Sequence, residues 1–282
     1  MTRTRGIAAF VIPFIVVCLV APVKRALSSP IHDAVLAGDA SKVASILGKD
    51  PQVVDAVDED GDTPLLLASE KSNAAVVKLL IDSGANVNKP GSGQWTPLHQ
   101  SALQNSPEVA KLLIDRGAKV DVKSVLGETP LIFAAKSDSN RVAHLLLDHH
   151  ADPNLPDYSG YTPLHWAAMS DSRHVVAVLM KCNANSEASD RDGMTPLCEA
   201  VQCNAIDSVR ALLDHGAKVD SPDAHGNTAL CRAAVDGSFD LVKLLVVRHA
   251  NVNAGKIKPL MGARFAGGPK ITKFLQSHGA HL

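Results

Sequence analysis

An all-α repeat solenoid, with stacked helix-turn-helix units joined by β-hairpin-like fingertips, is the fold class that three observations predict. A short phrase, clearest as Thr162-Pro163-Leu164-His165-Trp166-Ala167-Ala168, returns with its threonine at Thr63, Thr96, Thr129, Thr162, Thr195 and Thr228, so every gap is 33 residues. A constant period over that many copies marks units too small to bury an apolar face alone, which must stack on their neighbours. Within one period, apolar residues recur at three- and four-residue spacing, as in Val175, Val176, Leu179 and Met180, which is the helical pattern. Composition agrees: 46% of the residues are hydrophobic, yet only two Trp, two Tyr and six Phe are present. Ala, Leu and Val must therefore fill the interior, and small residues suit short helices packed closely.

Taken in order, residues 1–28 stand apart from the repeats. Ile7 to Val23 is almost wholly apolar, broken by Pro13 and Pro22, with Arg3 and Arg5 ahead of it and Lys24 and Arg25 behind. A basic flank, an apolar run and the small residues of Ala26-Leu27-Ser28 predict a signal peptide cut before Ser29, leaving a secreted or periplasmic body. A single-pass membrane anchor is the alternative; the run is at the short edge for a span, and the repeats begin at Ser29 with almost no linker.

From Ser29 onward the period divides the chain into about eight units, at 29–62, 63–95, 96–128, 129–161, 162–194, 195–227, 228–257 and 258–282. The outer two are atypical caps, as solenoid ends must be, since each presents one face to water. The first has Ser29 in place of Thr and one extra residue near Pro51; in the last, Lys258-Pro259-Leu260 arrives early. Each Thr is placed to cap a first helix, with Pro in the first turn, where a missing N–H costs nothing. Gly84, Gly117, Gly216 and Gly279 recur where the second helix should end in a left-handed residue, and His150, Asn183 and His249 take that place elsewhere. Asp58 to Gly61, Asp157 to Gly160, Asp190 to Gly193 and Asp223 to Gly226 have the Asp-first, Gly-fourth form of a type I turn, and form the fingertips.

The period and the Thr-Pro-Leu-His phrase resemble the ankyrin repeat family from about residue 29 to the end. The resemblance implies a non-enzymatic protein-binding scaffold whose partner, another protein, sits on the concave face. It implies that the His99 and His165 imidazoles bond neighbouring backbone, a role that Leu66, Ile132, Cys198 and Cys231 show to be dispensable by replacing them. It also implies a ligand-facing surface made of the fingertips, the residue before each Thr and the exposed side of the first helix. On that surface fall Trp95 and Tyr161 before their threonines, Tyr158 on a fingertip and Trp166 on a first helix. Phe133 holds the place equivalent to Trp166, and Val125, Leu126, Met169 and Met194 surround the cluster. Trp and Tyr are enriched among interface hot spots, and a contiguous apolar patch on a soluble protein usually meets something. Trp166 and Phe133 also suit a simpler role, filling the groove between helices. Asp55, Asp58, Glu59, Asp60 and Asp62 crowd the first fingertip, either as a solvated tip or as a charge that steers a basic partner.

Other classes of function find less support. The net charge of -1 hides a body with 24 basic and 29 acidic residues and no basic stripe, so nucleic acid is not an expected partner. Gly91-Ser92-Gly93 is too short for a phosphate loop and reads as a loosened fingertip. Asp148-His149-His150-Ala151 is similar to a signature of metal-dependent phosphoesterases, the basis of an alternative hydrolase reading. In register, however, His149 ends a helix and His150 takes the Gly place, so no catalytic residue, metal or cofactor is expected. The four cysteines of the body are expected to be free thiols, with Cys198 and Cys231 packing as small apolar groups, and the protein is expected to be a monomer.

Overall fold

The computed structural model describes residues 29–282; residues 1–28, where the signal peptide or anchor is expected, lie outside them. Two kinds of helix alternate along the chain. The first helices are α1 (Pro30–Leu36), α3 (Pro64–Glu70), α5 (Pro97–Leu103), α7 (Pro130–Lys136), α9 (Pro163–Met169), α11 (Pro196–Gln202), α13 (Ala229–Val235) and α15 (Pro259–Phe265). The second helices are α2 (Ala40–Lys49), α4 (Ala74–Asp82), α6 (Pro107–Asp115), α8 (Asn140–Asp148), α10 (Arg173–Lys181), α12 (Ile206–Asp214), α14 (Phe239–Val247) and α16 (Pro269–Ser277).

The helices start where capping chemistry dictates. Thr63, Thr129, Thr162, Thr195 and Thr228 each accept a hydrogen bond from the backbone N–H three residues on, and Pro fills the first helical position of every first helix except α13. Second helices end in left-handed backbone at Gly84, Gly117, Gly216 and Gly279, and at His150, Asn183 and His249 with φ of 65°, 60° and 65°.

A helix of seven residues cannot stand alone in water. Each first helix packs on the next in unbroken order from α1 to α15, while second helices stack outside them from α2 to α12 and α14 lies on α16. The interior between the layers is one apolar cluster, from Ile31 through Leu65, Leu98, Leu131, Leu164, Leu197 and Leu230 to Leu260.

No strand forms among the described residues, so the fingertips are hairpin-like only in their closure. The N–H of Asp157 donates to the Tyr161 carbonyl at 3.0 Å, and the same closure recurs from Asp190 to Met194 and from Asp223 to Asn227. Adjacent fingertips are joined by single backbone bonds, Val125 to Gly93, Tyr158 to Leu126, Ala224 to Gly193 and Lys256 to Gly226. The tip at Gly91 proves not to be loosened. Its N–H donates to the Trp95 carbonyl at 2.9 Å like the rest, and the missing carboxylate is replaced by Asp62 of the previous tip, whose Oδ1 accepts from Ser92 N–H at 3.0 Å. A Cβ at Gly91 would stand 2.3 Å from that oxygen, so glycine is what admits it.

A second polar ladder runs between the units. Asp55, Asn88, Asp121, Asn154, Glu187, Asp220 and Asn253, all 33 residues apart, each accept from a backbone N–H of the following unit, at Asn86, Lys119, Asp152, Asn185, Lys218, Asn251 and His281.

The ends depart from the pattern. The extra residue of the first unit is absorbed in a 3₁₀ turn, Pro51–Asp55. The last first helix starts at Lys258 without a side-chain cap and leaves Met261 and Phe265 60% and 90% exposed.

Candidate protein-binding surface

The residue before each threonine and the residue four after it are brought together by the stacking of first helices. In the unit at Thr129 they are Glu128 and Phe133, at Thr162 Tyr161 and Trp166, and at Thr195 Met194 and Glu199. Of the nine side chains expected to meet a partner, Tyr158, Val125 and Leu126 are 57%, 56% and 59% exposed on two adjacent tips. Trp95, Tyr161, Trp166 and Met169 are half-buried.

The other two expectations are corrected. Phe133 and Met194 are 2% and 5% exposed and belong to the core. Phe133 is sealed because Trp95 meets it edge-on at 4.8 Å and His99 at 5.0 Å, filling the groove from both sides. Met194 is drawn in because its carbonyl and N–H both serve the fingertip and the neighbouring imidazole.

Trp166 stays half-open but is held firmly. Its indole N–H donates to Asp157 Oδ2 at 2.9 Å, Tyr161 packs beside it at 5.3 Å, and the Lys136 ammonium lies 3.8 Å above the ring while ion-paired to Glu128. Tyr158 is aimed outward by the tight crossing of two tips: a Cβ on Gly127, whose φ is +80°, would stand 2.7 Å from its ring.

The histidines do what the resemblance implies. Nδ1 of His99 accepts from the Thr96 N–H at 3.1 Å, so the proton is on Nε2, which donates to the Glu128 carbonyl at 3.0 Å. His165 does the same from Thr162 to Met194, and His32 reaches the Asp62 carbonyl. Burial pushes the His99 imidazole down to about 4, which keeps it neutral and able to play both roles. Cys231, expected to pack only as an apolar group, instead aims its thiol at the Ile257 and Ala254 carbonyls and so reproduces the bond that the histidines make to the residue closing their unit. All four cysteines of the described residues are free thiols.

The acidic first tip keeps Glu59 and Asp60 exposed, while Asp58 Oδ1 accepts from the Asp60 and Asp62 N–H groups at 3.1 and 2.9 Å. Asp148, His149 and His150 are exposed at the end of α8, and His150 supplies the left-handed residue. No group of three metal-ligating side chains comes together among the described residues.

One pair went unnoticed in the sequence. Glu199 and Asp190, 4% and 8% exposed, bring two carboxyls together beneath Tyr161. Burial pushes the Glu199 carboxyl above the usual range and Asp190 pushes it further; burial and then Glu199 and Asp190 push the Tyr161 phenol up as well. The one signal available was an acid at a position whose equivalents are Leu67, Gln100, Phe133, Trp166 and Arg232, nine residues after a fingertip aspartate.

Fold and surface together define a class: a helical-repeat scaffold with a constant interior and one variable, aromatic and acidic face. The family model described as ankyrin repeats, three copies per match, fits residues 31–124, 121–190 and 177–256. The chain belongs to the ankyrin repeat family, whose members serve generally as protein-interaction scaffolds.

Proposed function

We propose that this chain captures a partner protein on the face formed by the first helices and fingertips of the units from 96 to 194, the concave side of an ankyrin stack, and performs no chemistry of its own. The observation that carries this is the run of exposed Val125, Leu126 and Tyr158 continuous with half-buried Trp95, Tyr161 and Trp166. These aromatics sit on a surface whose backbone is fixed by fingertip bonds, so little order remains to be lost on binding. Replacing Trp95, Tyr161 and Trp166 together by Ala should weaken capture of the partner from source cells at least tenfold while preserving helical content, since hot-spot truncations cost about 2 kcal/mol or more each. Undiminished capture by that variant sinks the proposal.

We further propose that the apolar run from Ile7 to Val23 exports the scaffold and is removed before Ser29. The basic flanks and the small residues ahead of Ser29 support this. No helix of the described residues is long and apolar enough to cross a membrane. Mass determination of the mature chain tests the cut: a start at Ser29 supports it, and an intact Met1 on a membrane-bound chain favours an anchored adaptor.

A further inference from the structure

Four residues after each threonine, the first helices carry Leu67, Gln100, Phe133, Trp166, Glu199 and Arg232 in a row. On both sides of Glu199 this row satisfies the aspartate of the fingertip that leads into its helix. Trp166 Nε1 donates to Asp157 Oδ2 at 2.9 Å, and Arg232 Nε donates to Asp223 Oδ2 at 3.0 Å. Between them stands an acid, and the equivalent oxygen, Asp190 Oδ2, is buried and accepts no well-formed hydrogen bond, with the Tyr161 phenol and the Glu199 carboxyl as its near polar neighbours. Asp58 Oδ2 is orphaned too, but the helix that follows its tip carries Leu67 in the row, so no second carboxyl is added there.

Among the described residues no cation is ion-paired to Asp190 or Glu199, and Arg232 acts on Glu199 only through its charge. One unit earlier, Lys136 covers Trp166 at 3.8 Å; the residue 33 positions on, placed to cover Glu199 in the same way, is Met169. From the other side Arg232 is already committed to Asp223 and to Gln202 Oε1. Two buried carboxyls side by side without an ion pair are costly, because a buried charge must be paired or neutralised. The raised Glu199 carboxyl is the consequence: burial, then Asp190, make the pair retain a proton.

We propose that the Asp190–Glu199 pair receives one basic side chain of the partner, arginine or lysine, seated over Glu199 as Lys136 is seated over Trp166. The proposal rests on the reading of this face as a protein-binding surface. A guanidinium fork matches two carboxyl oxygens, and the half-buried Tyr161 adds an aromatic wall. Met169 is half-exposed and, as a flexible thioether, can swing aside to admit it.

The test uses the purified full-length chain and the blocked tripeptides acetyl-Gly-Arg-Gly-amide and acetyl-Gly-Lys-Gly-amide, with the citrulline tripeptide as the uncharged control. The Trp166 indole N–H resonance is the readout. The two basic peptides should shift it saturably and citrulline should bind about tenfold more weakly or not at all, as charged hydrogen bonds lose that much when neutralised. Glu199→Gln should weaken the arginine peptide by about tenfold, and Met169→Lys should abolish binding by filling the place from within. Both variants are expected to melt no lower than wild type, which separates lost binding from lost folding. Equal binding of citrulline, wild-type affinity in either variant, or a response to calcium chloride and not to the peptides would overturn the proposal. If the peptides fail while the aromatic triple variant still loses its partner, the docking face stands and only this pocket falls.

Discussion

At the scale of single residues, two kinds of buried titratable group pull stability in opposite directions with pH. His99 is held neutral, its imidazole lowered from 6.5 to about 4 by burial, so the folded chain binds fewer protons than the unfolded one between those values. Its contribution is present above 6.5 and is lost as pH falls towards 4. Glu199 is the reverse. Burial and then Asp190 raise it above its ordinary 4.5, so the folded chain holds the extra proton, and stability is lost as pH rises through the raised value. The groups acting on Glu199 are Asp190 and Asp192 from the fingertip, Tyr161 ahead of α9, Arg232 on α13 and Cys203 at the end of its own helix. Replacing the acid isolates its share: Glu199→Gln should raise the melting temperature clearly at about pH 8, and by little at about pH 5, where the wild-type carboxyl is already protonated. An equal gain at both pH values would mean that the proton is not shared as described. Measuring the difference between the two proteins matters, because His99 contributes equally to both and cancels.

At the scale of elements, five first helices, α3, α7, α9, α11 and α13, owe their start to a threonine hydroxyl, and the units without histidine depend on it most. Thr129 Oγ1 accepts from Ile132 N–H at 3.3 Å with no imidazole to share the task, and the threonine is fully buried. Thr129→Ala should therefore cost about 1 kcal/mol in urea titration, the usual penalty for a lost cap. A loss within error would show that stacking alone sets the start of α7. This dependence is also why the helices were legible in the sequence: threonine, proline and the apolar spacing are local and act within one unit. The left-handed ends at His150, Asn183 and His249 were legible for the same reason. What was not legible was decided by a residue in another unit. Phe133 and Trp166 share one repeat position, yet Trp95 closes over the first while Lys136 and Asp157 hold the second half-open. The thiol of Cys231 bonding to the backbone that closes its unit, and the ladder from Asp55 to Asn253, likewise depend on which backbone the fold brings near. The Asp190–Glu199 pair belongs here as well, because an acid is unremarkable until the donors on either side of it are seen to be engaged elsewhere.

For the whole molecule, the contacts say how far a disturbance travels. Each first helix packs on the neighbouring first helices and on the second helix of its own unit, and α5, α7 and α9 also touch the second helix of the next, so stability should be a sum of unit terms and nearest-neighbour interfaces. The central link is α7, which packs on both α5 and α9 and carries the fully buried Leu131. Leu131→Ala removes a core side chain and should cost about 2–5 kcal/mol. Nearest-neighbour coupling sets where that loss appears. It weakens both interfaces of the unit at 129–161, so the stretches before and after it should stop unfolding together. The two tryptophans lie one on each side, Trp95 ahead of α5 and Trp166 on α9, and serve as separate reporters. In single-tryptophan versions made with Trp95→Phe or Trp166→Phe, the urea midpoints should coincide while Leu131 is intact and separate once it is Ala. Midpoints that stay together after the cavity is made would show that cooperativity spans the whole stack, as in a globular core. In that case a partner bound at Trp166 would stabilise α1 as much as α9; in the nearest-neighbour case its effect should fade within a unit or two.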